Sequence, residues 1–169
     1  MLLRTLLIFL RKNSLPKAGL GAVTEISMRV LPVDLDLLLH VNNGVYFSFM
    51  DFGRWDMIFR NGVYDRSRKL KWYSVVASEA IKFKKSLKLW DRFTIRTQVV
   101  GFDEKYFYIS QKFFKEADLM ATGLVKIRFL RLAGGTVDPA EVLAQFDVEI
   151  DSVPHLGADW QSFESKHLA

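Results

Sequence analysis

The chain of 169 residues has no cysteine. Disulfides, thiolate metal sites and cysteine nucleophiles are therefore excluded by inventory. Proline is scarce, at four residues, and no internal repeat or low-complexity linker divides the sequence. Long apolar runs are also missing. The apolar stretch Leu2, Leu3, Leu6, Leu7, Ile8, Phe9, Leu10 is interrupted by Arg4 and closed by Arg11 and Lys12. It falls short of the roughly 20 residues of a membrane span, and marginally short of the roughly 7 to 15 of a secretory core. Export is not expected, and the reading is cytoplasmic. A short amphipathic helix packed on the protein is favoured here over one lying on a membrane surface or a neighbouring subunit. No helix-turn-helix, zinc-finger or other nucleic-acid motif is present, so nucleic acid is not an expected partner.

What the chain does have is apolar mass. Half of its residues are hydrophobic and 14% are aromatic, with fourteen phenylalanines, enough for one well-packed domain and too few residues for two. A net charge of +5 suits an anionic partner. The densest basic group, Lys82, Lys84, Lys85 and Lys88, is a candidate for the phosphates of a nucleotide-tailed substrate. The competing use of such a group is a solvated strand face.

After the flexible stretch from Lys17 to Gly21, residues 23–31 read as a first strand stopped by Pro32. From Asn43 to Asn61 the apolar spacing turns helical. The Asn42-Asn43 pair supplies the cap candidate, with Asn43 expected as the capping residue, and Gly62 supplies the left-handed exit. Aromatic residues widen the apolar surface beyond one stripe, so a sheet should wrap this helix. Four strand patterns follow, over residues 72–83, 93–100, 106–115 and 119–132, with turns at 102–105 and 116–118 and an end at Gly134-Gly135. Their order reads as an antiparallel meander. Asp138-Pro139-Ala140-Glu141 opens a short helix. The expected class is α+β, one long central helix wrapped by a curved antiparallel sheet of about five to six strands. The boundaries are an N-terminal extension, 1–22, a single domain, 23–150, and a C-terminal tail, 151–169.

The segment Asp34-Leu35-Asp36-Leu37-Leu38-Leu39-His40-Val41-Asn42-Asn43-Gly44-Val45-Tyr46 resembles the hotdog thioesterases of the 4-hydroxybenzoyl-CoA thioesterase type. Those proteins carry an Asp-x-Asp and then a His-Val/Met-Asn-Asn-x-x-Tyr run leading into the central helix. The stretches Asp51-Phe52-Gly53-Arg54-Trp55-Asp56 and Ser78-Glu79-Ala80-Ile81-Lys82-Phe83 are similar to the thioesterase superfamily member six subgroup. The resemblance spans residues 25–132. It implies a hotdog fold, hydrolysis of a fatty or aromatic acyl-CoA to free acid and CoA, no metal and no organic cofactor, and a homodimer or homotetramer. It also implies Asp36, the second Asp of the pair, as the catalytic carboxylate. Many members have Gly just before the His; this chain has Leu39, which is expected to reshape or narrow the oxyanion site.

Elementary chemistry agrees. Thioester hydrolysis needs a base or nucleophile beside the carbonyl carbon and donors aimed at the oxygen where charge develops. A loop carboxylate ahead of a helix supplies the first, and the unpaired amides at that helix start supply the second. Asp36 takes the first role, and His40, Asn42, Asn43, Gly44 and Tyr46 form the oxyanion and substrate-binding set. The plainer alternatives are a turn-capping Asp34 or Asp36, a hydrogen-bonded His40, capping asparagines and a core Tyr46. Glu79 is a candidate second acid. By alternation it shares a face with Val75, Ala77 and Ile81, where an acid needs a partner. A non-catalytic acyl-CoA or lipid-binding protein of the same fold is the alternative function.

Overall fold

The computed structural model of the chain describes residues 2–146 and 153–155; most of the expected tail at 151–169 lies outside them. A helix α1 (Leu2–Arg11) precedes strand β1 (Thr24–Arg29), the long helix α2 (Asn43–Arg60), a second helix α3 (Val63–Leu70), and strands β2 (Trp72–Phe83), β3 (Arg92–Phe102), β4 (Phe107–Lys115) and β5 (Asp118–Arg131). A two-residue β6 (Thr136–Val137) and the short α4 (Pro139–Leu143) follow. One antiparallel sheet curves around α2, as the hotdog fold requires, and the core lies between them.

The helix start is capped by Asn42, whose Oδ1 accepts the Gly44 amide at 2.8 Å. The cap thus falls one residue earlier than Asn43, which already has helical backbone. At the far end Gly62, at φ +75°, takes the left-handed turn expected of it. Helix and sheet approach closely at Gly53, where a Cβ would stand 2.6 Å from both Gln111 Nε2 and Thr97 Oγ1. Only a glycine fits between helix and sheet there.

The meander is corrected in one respect. Strand order is β1-β3-β4-β5-β2, so β2 pairs with β5 and not with β3. The residues between Phe83 and Arg92 are no tight turn but a crossing loop, pinned by the fully buried Leu87, and they carry the chain to the opposite side of the sheet. The faces of β2 also differ from simple alternation. The register with β5 slips between Val76 and Ser78, leaving Ala77 as a bulge, and one extra residue flips every side chain beyond it. Glu79 therefore stands opposite the core residue Val125, whereas Val75 stands opposite Arg128.

Two elements complete the frame. Helix α3 has no signal in the sequence pattern beyond Gly62, because its eight residues are mostly polar. Helix α1 packs on the domain: Phe9 meets the rings of Trp55, Phe59 and Tyr64 at 5.0 to 6.0 Å. Its Arg4 clasps the buried Asp34 carboxylate with two hydrogen bonds of 2.9 and 2.7 Å. No helix among the described residues is long and apolar enough to cross a membrane.

Candidate active site

The two aspartates of Asp-x-Asp have separate surroundings. Asp34 is fully buried, holds Arg4, and accepts the Leu31 amide at 2.8 Å; it ties the first helix to the loop and is not available for chemistry. Asp36 is half-buried. Its Oδ1 accepts the amides of Leu38 at 2.8 Å and His40 at 3.3 Å, while Oδ2 has no partner among the described residues. Short polar side chains make such turns readily. Here the turn also orients the carboxylate, anchoring one oxygen and leaving the other without a partner among the described residues.

The turn closes through Leu39, whose φ of +59° is left-handed. This is the position where many proteins of the resembling type carry Gly. A leucine there costs roughly 1 to 2 kcal/mol of backbone strain. Its side chain, like those of Leu37 and Leu38, points into solvent.

At the start of α2 the amides are divided. The Gly44 N–H serves the Asn42 cap, and the Val45 N–H bonds the Asn42 carbonyl at 2.9 Å. The exposed Asn43 amide has no acceptor among the described residues, which leaves it as the donor that could meet an oxyanion. Asn42 thus shapes the helix start, and Asn43 leaves its backbone amide without an acceptor among the described residues. Tyr46 is buried against Phe49, Phe83 and Phe113, and its hydroxyl accepts the Leu87 amide at 3.4 Å. Burial pushes its phenol above the ordinary value, although the Leu87 hydrogen bond works against this. It bolts the helix start to the crossing loop from inside the core. His40 pairs its backbone with Lys88.

The four lysines are all exposed and do different things. Lys85 pairs with Asp118 at 2.9 Å, and the amides of Lys84 and Lys85 both bond the Met120 carbonyl. Lys82 lies within β2 opposite Thr122. Lys88, paired with His40, is the one carried to the Asp36 turn.

Glu79 has the partner an inward-facing acid needs. It forms an ion pair of 2.6 Å with Arg54 of α2. Arg54, itself buried, donates to Gln111 Oε1 at 3.0 Å and pairs with Asp51 as well. Gln111 in turn donates to the Met50 carbonyl and to Thr97 Oγ1. Arg54 was not among the residues singled out from the sequence, although two unmatched charges of opposite sign, one inside an apolar helix and one on a strand face, were a signal for the pair. Beside this network lies a cavity of about 300 Å³, walled by Trp55, Ile58, Tyr64, Trp72, Ile109 and Phe129, with Asp51 and Arg54 at its polar margin. No group of three or more metal-ligating side chains occurs among the described residues.

Comparison with known proteins gives the context. The chain is 30% identical over 131 residues to Protein THEM6 of Xenopus laevis, covering 78% of this chain and 63% of that protein. It is 31% identical over 137 residues to Protein THEM6 of Danio rerio, covering 81% and 68%. The chain thus spans about two thirds of the length of these relatives. Its fold matches the crystal structure of YbaW, a probable thioesterase from Escherichia coli, with a TM-score of 0.68 and 22% identity, covering 72% of this chain and 94% of that one. The model of one family, the thioesterase-like superfamily, matches residues 30–151. With its Asp36 turn, its capped central helix and the strands β2 to β5 inside that span, the chain belongs to the thioesterase-like superfamily.

Proposed function

We propose that the protein hydrolyses acyl-CoA thioesters, with Asp36 as base or nucleophile and the Asn43 amide as an oxyanion donor. The observation that carries this reading is the Asp36 carboxylate itself, fixed by two amides through Oδ1 and, among the described residues, free at Oδ2, in the turn that leads into a helix whose Asn43 amide has no acceptor among them. Acting as a base, Asp36 takes a proton from water as the water oxygen bonds the carbonyl carbon. The oxyanion so formed is met by the Asn43 N–H and the positive end of α2. On collapse the C–S bond breaks, the thiolate leaves, and the proton held by Asp36 passes to it.

The acyl tail has a place to go. Along α2 the start at Asn43 and the cavity margin at Asp51 are about 12 Å apart by helical rise, and the cavity is of ligand size with apolar walls. Lys88, beside the turn, is the lysine best placed for the CoA phosphates, with Lys82, Lys84 and Lys85 further along the same loop and strand. The working form is a homodimer or higher oligomer. A second reading, a non-catalytic acyl-CoA or lipid-binding protein, draws on Leu39, whose strained turn departs from the glycine of the resembling proteins.

A panel of fatty and aromatic acyl-CoAs with a thiol-detecting reagent separates the readings. Hydrolysis is expected for at least one substrate, with a loss of several orders of magnitude in Asp36→Asn. Binding without thiol release would favour the second reading, and a rate in Asp36→Asn within a few-fold of the parent would remove Asp36 from catalysis.

A further inference from the structure

The loop that bears the Asp36 turn and the loop that bears the lysines are zipped together at both ends. The Val41 amide bonds the Leu87 carbonyl at 3.0 Å and His40 pairs with Lys88, while the amides of Val30 and Trp90 bond the carbonyls of Asp91 and Val30 at 2.9 and 3.2 Å. From this joined pair of loops project Val33, Leu37, Leu38, Leu39, Leu89 and Trp90, of which Leu37 is 100% exposed and Trp90 55%. Scattered apolar side chains on a surface need no explanation; a group of this kind on two joined loops does. Two of the six, Leu39 at φ +59° and Trp90 at φ +66°, sit on left-handed backbone. Their apolar groups are held outward in conformations that side chains disfavour. Lys84 and Lys88 stand exposed in the same loop.

We infer that this end of the molecule docks on an anionic lipid bilayer. Leucines and a tryptophan at a tip, with lysines beside them, match the boundary between lipid headgroups and acyl chains: the apolar groups enter, the indole sits at headgroup level, and the ammonium groups meet phosphate. The net charge of +5 acts in the same sense. A second copy of the chain is the other occupant such a surface invites. A second copy carries the same net charge of +5 and adds to the repulsion, whereas an anionic surface neutralises it. Docking goes beyond hydrolysis and does not depend on it. If both hold, the Asp36 turn lies where an acyl thioester partitioned into the bilayer by its tail would be met.

The full chain is sedimented with phosphatidylcholine vesicles that contain or lack phosphatidylglycerol. Binding is expected to the anionic vesicles and to weaken with salt. The double variant Leu37→Ser/Leu38→Ser should bind them at least about tenfold more weakly through lost apolar insertion, and Lys84→Gln/Lys88→Gln about tenfold more weakly through lost charge. Trp90→Asn removes the indole while keeping a residue that tolerates left-handed backbone, so its melt should match the parent and its vesicle binding should fall. Failure of the parent to bind anionic vesicles would overturn the inference. So would a change of mass by light scattering in Leu37→Ser/Leu38→Ser, which would make the patch a subunit contact. Vesicle binding without hydrolysis of any acyl-CoA would leave docking standing and remove the enzymatic reading; hydrolysis without vesicle binding would do the reverse.

Discussion

Leu39 combines two liabilities, a left-handed backbone and a solvent-exposed apolar side chain. Replacing it with Gly should release the strain and forfeit little burial. Leu39→Gly is therefore expected to raise stability by about 1 kcal/mol, reduced somewhat by the greater freedom of Gly in the unfolded chain. Thermal melts check this, and a lower midpoint would mean that Leu39 makes contacts the exposure does not reveal. The strain also bears on chemistry, because the same turn supplies the two amides that hold Asp36 Oδ1. A leucine here gives the carboxylate the same anchors as a glycine would, at a cost in stability.

At the scale of elements, the helix start is where residue type and position part company. Either asparagine of the 42–43 pair could cap by preference, and only geometry decides. Asn42→Ala should cost about 1 kcal/mol, whereas Asn43→Ala should stay within roughly 0.5 kcal/mol, since its side chain caps nothing. Equal losses in paired denaturant titrations would contradict the cap assignment. The same contrast explains what the sequence could disclose. The central helix, its glycine exit and the long strand patterns were readable because each rests on local periodicity or turn chemistry. The β2–β5 pairing was not, since pairing order is decided by where a crossing loop goes, and a buried Leu87 leaves no periodic trace. Alternation placed Glu79 on an apolar face, as found, but grouped Val75 with it, because alternation cannot register the bulge at Ala77. Asp36 stood out by its motif, while Arg54 and α3 were missed, one masked by its apolar helix and the other by its brevity and polarity.

Across the whole molecule, stability should depend on pH through carboxylates held low. Burial raises the Asp103 carboxyl, but hydrogen bonds from Tyr108 and from the amides of Lys105 and Tyr106 outweigh it and bring it below the ordinary value near 3.8. Asp91, bonded by Lys115 and by the Lys88 amide, is also lowered despite its burial. A carboxyl lowered in the folded state contributes stability that is complete above its unfolded value and is lost as pH falls through the folded one. Acid melts should therefore steepen below about pH 4. Asp103→Asn should lower stability at neutral pH by roughly 1 to 2 kcal/mol and flatten that acid limb. An unchanged acid limb would show that these hydrogen bonds do not favour the charged form.

Assembly is the other property of the whole. Strand β2, twelve residues long, lies at one edge of the sheet, and an edge of that length invites pairing with its own copy. Light scattering should give about twice the 19.5 kDa of one chain, or more; a mass near one chain would defeat the proposed oligomer. The bulge at Ala77 then sets a limit on how such a pair can form. It divides β2 into two short rulers, 72–76 and 78–83, whose graduations are out of phase by one residue. A twofold axis through Ala77 sets bulge against bulge and keeps both halves in step, whereas an axis placed elsewhere sets a bulge against an unbulged stretch and breaks the ladder. The grip between subunits would then be two runs, 72–76 of one copy along 78–83 of the other and the reverse, and its strength would rest on the side chains beside the bulge.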